Sequence, residues 1–282
     1  RNYKGASLFA LLLFGLCLSL TIPLYADGSN SIILEDSEEW YTLSNTYVEG
    51  VVADDIDQDG TTEIVTVGRY ETGDQFYDEW IRHGQIKIWN WNGTALNLEH
   101  TENWTATYWR GIRKVAIGDV DDDGRKEIVT VGYRWEITPN WVYKGELAIW
   151  NWNGTRLELE HVETWYYDQG VQAYDVWIGD IDNDETNEMI TCGWYWSPPV
   201  GYEAQLRIWN WNGTVFTLKH SEEWNYTTGV AVNRVYADDV NADGITELVS
   251  VGHMNNNTYY QGQLRTWQWN GTSLTLINDE EW

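Results

Sequence analysis

After its first 26 residues the chain shows no helical period. Apolar positions either alternate or run in short β-branched stretches broken by turn residues. Around residue 120 the pattern reads as four strands. Val115 and Ile117 lead into an acidic loop, and a stretch rich in Val, Ile and Thr from Glu127 to Val131 leaves it. The third strand runs through Leu147, Ile149, Trp150 and Trp152, and the fourth through Leu157 and Leu159 to Trp165. On the third strand Leu147 and Ile149 face one way and Trp150 and Trp152 the other, so both faces are apolar. Such a strand is buried between neighbours on each side. Asn153-Gly154 between the last two strands is a tight hairpin signal, with both turn residues expected at positive φ.

The four-strand pattern recurs. Acidic loops begin at Asp55, Asp119, Asp180 and Asp239, and the Trp-Asn/Gln-Trp-Asn-Gly-Thr turn begins at Trp89, Trp150, Trp209 and Trp267. A strand-like stretch ends in Trp at positions 40, 104, 165, 224 and 282. Four-stranded antiparallel units of about 60 residues repeated in step predict an all-β chain, with the units arranged radially as the blades of a β-propeller. The repeats span about 31–104, 105–165, 166–224 and 225–282, within a domain of residues 27–282. There are five fourth strands for four sets of the other three. The extra one, residues 31–40, reads as an additional N-terminal strand, and the surplus is expected to belong to a larger ring that continues past Trp282.

Residues 1–26 differ. Arg1 and Lys4 precede an uncharged, mostly apolar run over 6–24, closed by Pro23 and Ala26. This is the pattern of a secretory signal, with an uncleaved membrane anchor as the alternative. Either places the remainder outside the cytoplasm, secreted or at the cell surface. Cys192 is then the sole cysteine of the exported part, so disulfides do not brace it.

Composition narrows the partners. The formal net charge is -27, from 44 acidic and 17 basic residues. A nucleic-acid binder needs the opposite footprint, and a polybasic membrane module is equally excluded. Contact with a membrane is left to the N-terminal segment.

Much of the acid sits in the repeated loops. Asp55, Asp57, Asp59, Gly60 and Glu63 occupy positions 1, 3, 5, 6 and 9 of the first. The second carries Asp119, Asp121, Asp123, Gly124 and Glu127; the third Asp180, Asp182, Asp184, Glu185 and Glu188; the fourth Asp239, Asn241, Asp243, Gly244 and Glu247. Four oxygens at this spacing, with the carbonyl of position 7 (Thr61, Arg125, Thr186, Ile245), suit a hard cation that takes 6–8 oxygen ligands, and Ca²⁺ fits best. The acid at position 9 and the flanking strands set the loop apart from an EF-hand. Glu185 stands where Gly eases the turn, which makes the third site the weakest, and Asn241 removes one charge from the fourth.

A strand–acidic loop–strand unit of this length resembles the FG-GAP/VCBS repeats of integrin α-chain propellers and microbial surface proteins, over nearly all of residues 31–282. Gly68, Gly132, Gly193 and Gly252 are remnants of the family's glycine signature. The resemblance implies a calcium-binding propeller. Its ligand sets would be Asp55, Asp57, Asp59, Glu63 and the Thr61 carbonyl, and the matching residues of the other loops. It also implies a role in adhesion or recognition at a surface.

In an up-and-down blade the loops between strands two and three share one face. That face is rich in rings, and Tyr70, Trp80, Trp135, Trp141, Trp194, Trp196, Tyr259 and Tyr260 are the candidate contacts for a carbohydrate or protein ligand. Packing of these rings on one another is the competing reading. His100, His161 and His220 recur on the fourth strands and read as structural. No nucleophile–base constellation, phosphate loop or zinc spacing occurs, so no catalytic residue is assigned and the chain is read as a non-enzyme. A structural spacer without a ligand, or a polysaccharide hydrolase or lyase built on acidic residues such as Asp74, Asp78 and Glu79, are the alternatives.

Overall fold

The computed structural model describes residues 34–40, 45–73, 81–105, 109–138, 140–167, 170–226 and 229–282, without the side chains of 137, 138, 140 and 141. The expected signal or anchor, 1–26, lies outside the described residues. Arg1–Ser37 and Glu38–Trp282 are separate compact units. Of the first only residues 34–37 are described, and there the Ser37 amide donates to Asp36 Oδ1 (2.8 Å).

The second unit is all-β. The first repeat holds β1 (Thr46–Asp54), β2 (Glu63–Thr72), β3 (Ile81–Trp91) and β4 (Leu96–Trp104). The second holds β5 (Trp109–Gly118), β6 (Glu127–Thr138), β7 (Asn140–Trp152) and β8 (Leu157–Trp165). The third holds β9 (Val171–Gly179), β10 (Glu188–Ser197), β11 (Gly201–Trp211) and β12 (Phe216–Trp224). The fourth holds β13 (Val230–Asp238), β14 (Glu247–Asn255), β15 (Tyr260–Trp269) and β16 (Leu274–Glu281). Within each repeat the strands pair antiparallel in chain order. Adjacent repeats touch through one parallel bridge of the same kind: Arg82 to Trp109, Tyr143 to Gly170 and Tyr202 to Gly229.

The two apolar faces of the third strand pack as expected. Ala148, Trp150 and Trp152 join Ile86 and Ile88 of the repeat before. Leu147 and Ile149 join Trp209 and Trp211 of the repeat after. The same arrangement joins repeats three and four, where Leu206 and Ile208 meet Trp267 and Trp269. Each first Trp of a pair also bonds its indole N–H to a hydroxyl on strand two: Thr66, Thr130, Thr191 or Ser250, at 2.9–3.0 Å. That removes the cost of burying the indole donor.

The terminal Trp of each repeat packs on the next. Trp104 meets Trp150, Trp165 meets Trp209 and Trp224 meets Trp267, with ring centroids 4.9–5.2 Å apart. Trp40 makes the same contact with Trp89 (5.1 Å) and bonds Gln85 Oε1 (3.1 Å). The expected N-terminal strand, however, is not formed over residues 34–40. Every fourth strand pairs with the third strand of its own repeat, and this segment has no such partner among the described residues. Trp40 thus holds the place of a terminal Trp without its strand. Trp282 is 70% exposed.

Two local features depart from the pattern reading. First, the Asn-Gly turns are four-residue loops, and only their Gly takes positive φ (77–87°). In the first, Asn92 Oδ1 accepts from the amides of Thr94 (3.0 Å) and Ala95 (2.9 Å), so the side chain closes the loop and a two-residue turn is not needed. Second, strand one of each repeat carries a register shift, which leaves Glu49, Arg113, Tyr174 and Asn233 as the extra residues. Opposite each shift lies Gly68, Gly132, Gly193 or Gly252, where a Cβ would overlap the facing backbone carbonyl.

Candidate metal centres and aromatic pocket

The acidic loops share one hydrogen-bond pattern. The position-1 carboxylate accepts the amide of position 6, as in Gly60 to Asp55 (3.1 Å), Gly124 to Asp119 (2.9 Å), Glu185 to Asp180 (3.0 Å) and Gly244 to Asp239 (2.8 Å). The position-9 glutamate is buried and accepts the amide of position 2, at 3.0–3.3 Å in all four repeats. The position-5 aspartates Asp59, Asp123, Asp184 and Asp243 accept the amide of position 7, that is of Thr61, Arg125, Thr186 and Ile245, at 2.8–2.9 Å. Position 4 takes positive φ in every copy (Gln58, Asp122, Asn183, Ala242), and so does Glu185 at position 6 of the third (φ 68°). The strain expected there is present.

These bonds gather the carboxylates of positions 1, 3 and 9. In Asp55/Asp57/Glu63, Asp119/Asp121/Glu127 and Asp180/Asp182/Glu188, one oxygen from each residue lies within 4.8 Å of the others. These three triads could hold a metal ion. In the fourth loop Asn241 replaces the position-3 carboxylate and turns its amide to Glu247 Oε1 (3.0 Å), so the acids of positions 1 and 9 have no third carboxylate at position 3. Position 5 stands outside the triads.

The triads fit a cation on an independent ground. Asp55 Oδ1, Asp119 Oδ1, Asp182 Oδ1 and Glu188 Oε1 are buried and have no hydrogen-bond partner. Buried oxygens normally find one. Burial, with nearby aspartates adding repulsion, pushes Glu127 up to about 8 and Glu188 to about 7. A cation would supply the missing charge and reverse that shift.

The triads also lie at the seams between repeats. Lys126, in the second acidic loop, bonds Asp54 beside the first (2.7 Å). The side chain of Asn187 in the third loop donates to the carbonyl of Asp119 in the second (2.7 Å). Trp269 of repeat four donates its indole N–H to Asp182 Oδ2 in the third loop (3.1 Å).

The aromatic candidates divide. Tyr70 is buried and stacked on His83 (4.8 Å). Trp135 stacks on Tyr143 at 5.1 Å and packs on Trp109 at 4.1 Å. Trp80 and the side chain of Trp141 lie outside the described residues. Tyr259 is exposed but stands apart from any cavity described. Trp194, Trp196 and Tyr260 are brought together, in a pocket of about 350 Å³ between repeats three and four. Tyr174, Tyr202 and His253 complete its wall. Tyr202 sets Trp194 and Trp196 edge-on at 4.8 and 4.6 Å, and the Trp194 indole bonds the Tyr174 hydroxyl (2.7 Å). Of the candidates expected in the loops between strands two and three, Tyr70 lies instead within β2, Trp135 within β6, Trp194 and Trp196 within β10 and Tyr260 within β15, because these strands run on past the expected loop boundaries. Tyr174 in β9 and His253 in β14 fall outside the stretches expected to carry the site.

No known family model matches the chain, and no curated protein is significantly similar to it.

Proposed function

We propose that this chain is an exported, calcium-binding recognition module of the FG-GAP/VCBS type that takes a carbohydrate in the pocket of Trp194, Trp196 and Tyr260. The observation that carries the reading is that pocket. Indole and phenol rings line it, yet Tyr260 remains 70% exposed. Exposed rings beside hydrogen-bonding groups suit a pyranose, which has apolar C–H faces and polar edges.

Calcium is the cation that the triads suit best. The donors are all oxygen, the loops are short and supply several carboxylates each, and such sets favour a large hard cation over Mg²⁺, which keeps its waters. The same packing step carries each repeat onto the next three times, and this supports a radial arrangement of the units as the blades of a propeller. The calcium loops then brace the seams and hold the pocket, itself a seam between repeats, in shape.

Affinity electrophoresis of the intact chain through immobilised polysaccharides tests the reading. Retardation by at least one polysaccharide, lost in Trp196→Ala and kept in Tyr47→Ala outside the pocket, is expected. A second reading, a spacer with no ligand, is favoured by the packing of Tyr70 and Trp135 against their neighbours. The absence of retardation by any polysaccharide would support it.

A further inference from the structure

A second cavity, of about 490 Å³, is lined by Glu49, Arg113, Tyr174, Asn233 and Arg234. Four of these five are the extra residues of the strand-one bulges, one from each repeat. Each lies six positions before the first aspartate of its acidic loop. The fold therefore brings one position of the repeat to a single place four times. Loop and core positions keep their chemistry from repeat to repeat, whereas this one reads Glu, Arg, Tyr and Asn.

The cavity is cationic within a chain of net charge -27. Two guanidiniums and one carboxylate line it. The carboxylate, Glu49, is already held by Arg113 (2.6 Å) and by Arg69. Arg234 is exposed, and its guanidinium donates to the carbonyl of Asn233 (2.6 Å). The Nε of Arg113 is buried with no acceptor. The neighbouring acid, Asp175, does not line the cavity; it is buried, and its Oδ2 accepts the amide of Val235 (3.0 Å) while its Oδ1 has no partner. The charged groups that line the cavity and keep open hydrogen-bonding capacity are therefore the two guanidiniums, Arg113 and Arg234.

This cavity adjoins the aromatic pocket. Tyr174 lines both. Asn233 of the cavity is hydrogen-bonded to His253 of the pocket (3.2 Å), and the guanidinium of Arg113 lies 5.7 Å from the Tyr174 ring centre. We infer that the two form one site for an acidic glycan, with sugar rings on Trp194, Trp196 and Tyr260 and a uronate carboxylate on Arg234 and Arg113. Guanidinium suits a carboxylate because its planar donors match the two oxygens. The inference rests on the carbohydrate reading and adds the charge of the ligand.

Calorimetry on the intact chain with hexamers of galacturonate, glucuronate and mannuronate, each beside its carboxyl-reduced counterpart, tests it. At least one acidic hexamer should bind about tenfold or more tighter than its reduced form, as expected for a hydrogen bond to a charged group. The margin should narrow as salt rises. Arg234→Gln should bring it to about twofold or less and leave the reduced hexamer's affinity unchanged. Arg234 is the residue to change because removing Arg113 would strip a partner from Glu49. Equal binding of acidic and reduced hexamers overturns the inference and leaves the carbohydrate reading standing. Equal loss of both in Arg234→Gln also overturns it. Failure of every hexamer to bind, acidic and reduced alike, overturns the reading and the inference together.

Discussion

Gly154, in the hairpin loop of the second repeat, lies against the carboxylate of Asp57 in the acidic loop of the first: a Cβ built on it would sit 2.6 Å from Asp57 Oδ2. Gly213 meets Asp121 and Gly271 meets Asp182 in the same way, at 2.8 and 2.9 Å. These three hairpin loops, of repeats two, three and four, therefore each lie against the candidate metal centre of the preceding repeat.

Gly154→Ala should destabilise the protein and weaken cation binding at the first centre. Positive φ alone costs a non-glycine residue about 1–2 kcal/mol, and the contact with Asp57 adds to that. Gly93→Ala is the control, since Gly93 shares the positive φ (87°) and a Cβ there meets nothing within 4 Å. Chemical denaturation of both variants, with and without calcium, should show the larger loss in Gly154→Ala, and a calcium-dependent part in that variant alone.

The repeat, the strands and their faces were legible because each rests on a local pattern. Leu147 and Ile149 opposed to Trp150 and Trp152 need only the two-residue period of a strand, and the sides they take are the sides expected. The gathering of the acids of positions 1, 3 and 9 was legible in their spacing, whereas position 5, expected among the ligands, lies outside the three triads because its carboxylate turns to the position-7 amide. The bulges were not, since Glu49, Arg113, Tyr174 and Asn233 differ in chemistry and no local signal marks an extra residue. Position 4 of the acidic loops was missed because Gln58 and Ala242 carry no preference for positive φ. The seam contacts of Asp57 and Asp182 are made with residues far along the chain, beyond the reach of any local pattern.

Glu185→Gly should stabilise the third loop. Glu185 holds φ 68° where the other loops have Gly at 87–92°. Relief of that strain exceeds the extra entropy that Gly loses on folding, which is about 0.5–1 kcal/mol. A gain of about 0.5–1 kcal/mol in denaturant unfolding, with tighter binding at that centre, is the expected outcome.

Trp165→Ala should cost about 3–5 kcal/mol, the usual range for emptying a buried aromatic site. Its ring packs on Trp209, and its indole bonds Gln205 (2.8 Å) across the seam between repeats two and three. Trp282→Ala, at an exposed ring, should change stability by about 0.5 kcal/mol or less. Urea titration of the two variants measures the difference.

The chelated protein should lose stability as pH rises. Glu127 is held protonated in the fold up to about 8 and Glu188 to about 7, against an ordinary 4.5. Between those values the folded chain binds more protons than the unfolded one, so the contribution is full below about 4.5 and lost as pH rises through 7 and 8. Thermal melts from pH 5 to 9 should fall with pH in chelator, and Glu127→Gln should flatten part of that slope. Calcium should oppose the fall, because it binds the ionised carboxylates and its affinity rises as they deprotonate.

Calcium titration of the chelator-stripped chain by calorimetry tests the central claim most directly. Three triads are complete and the fourth is interrupted by Asn241, so the account predicts saturation at three ions per chain, loss of one in Asp119→Asn, and a higher melting temperature when all are bound. A folded, stripped chain that takes up no calcium, and whose melting is the same in calcium and in chelator, would contradict it.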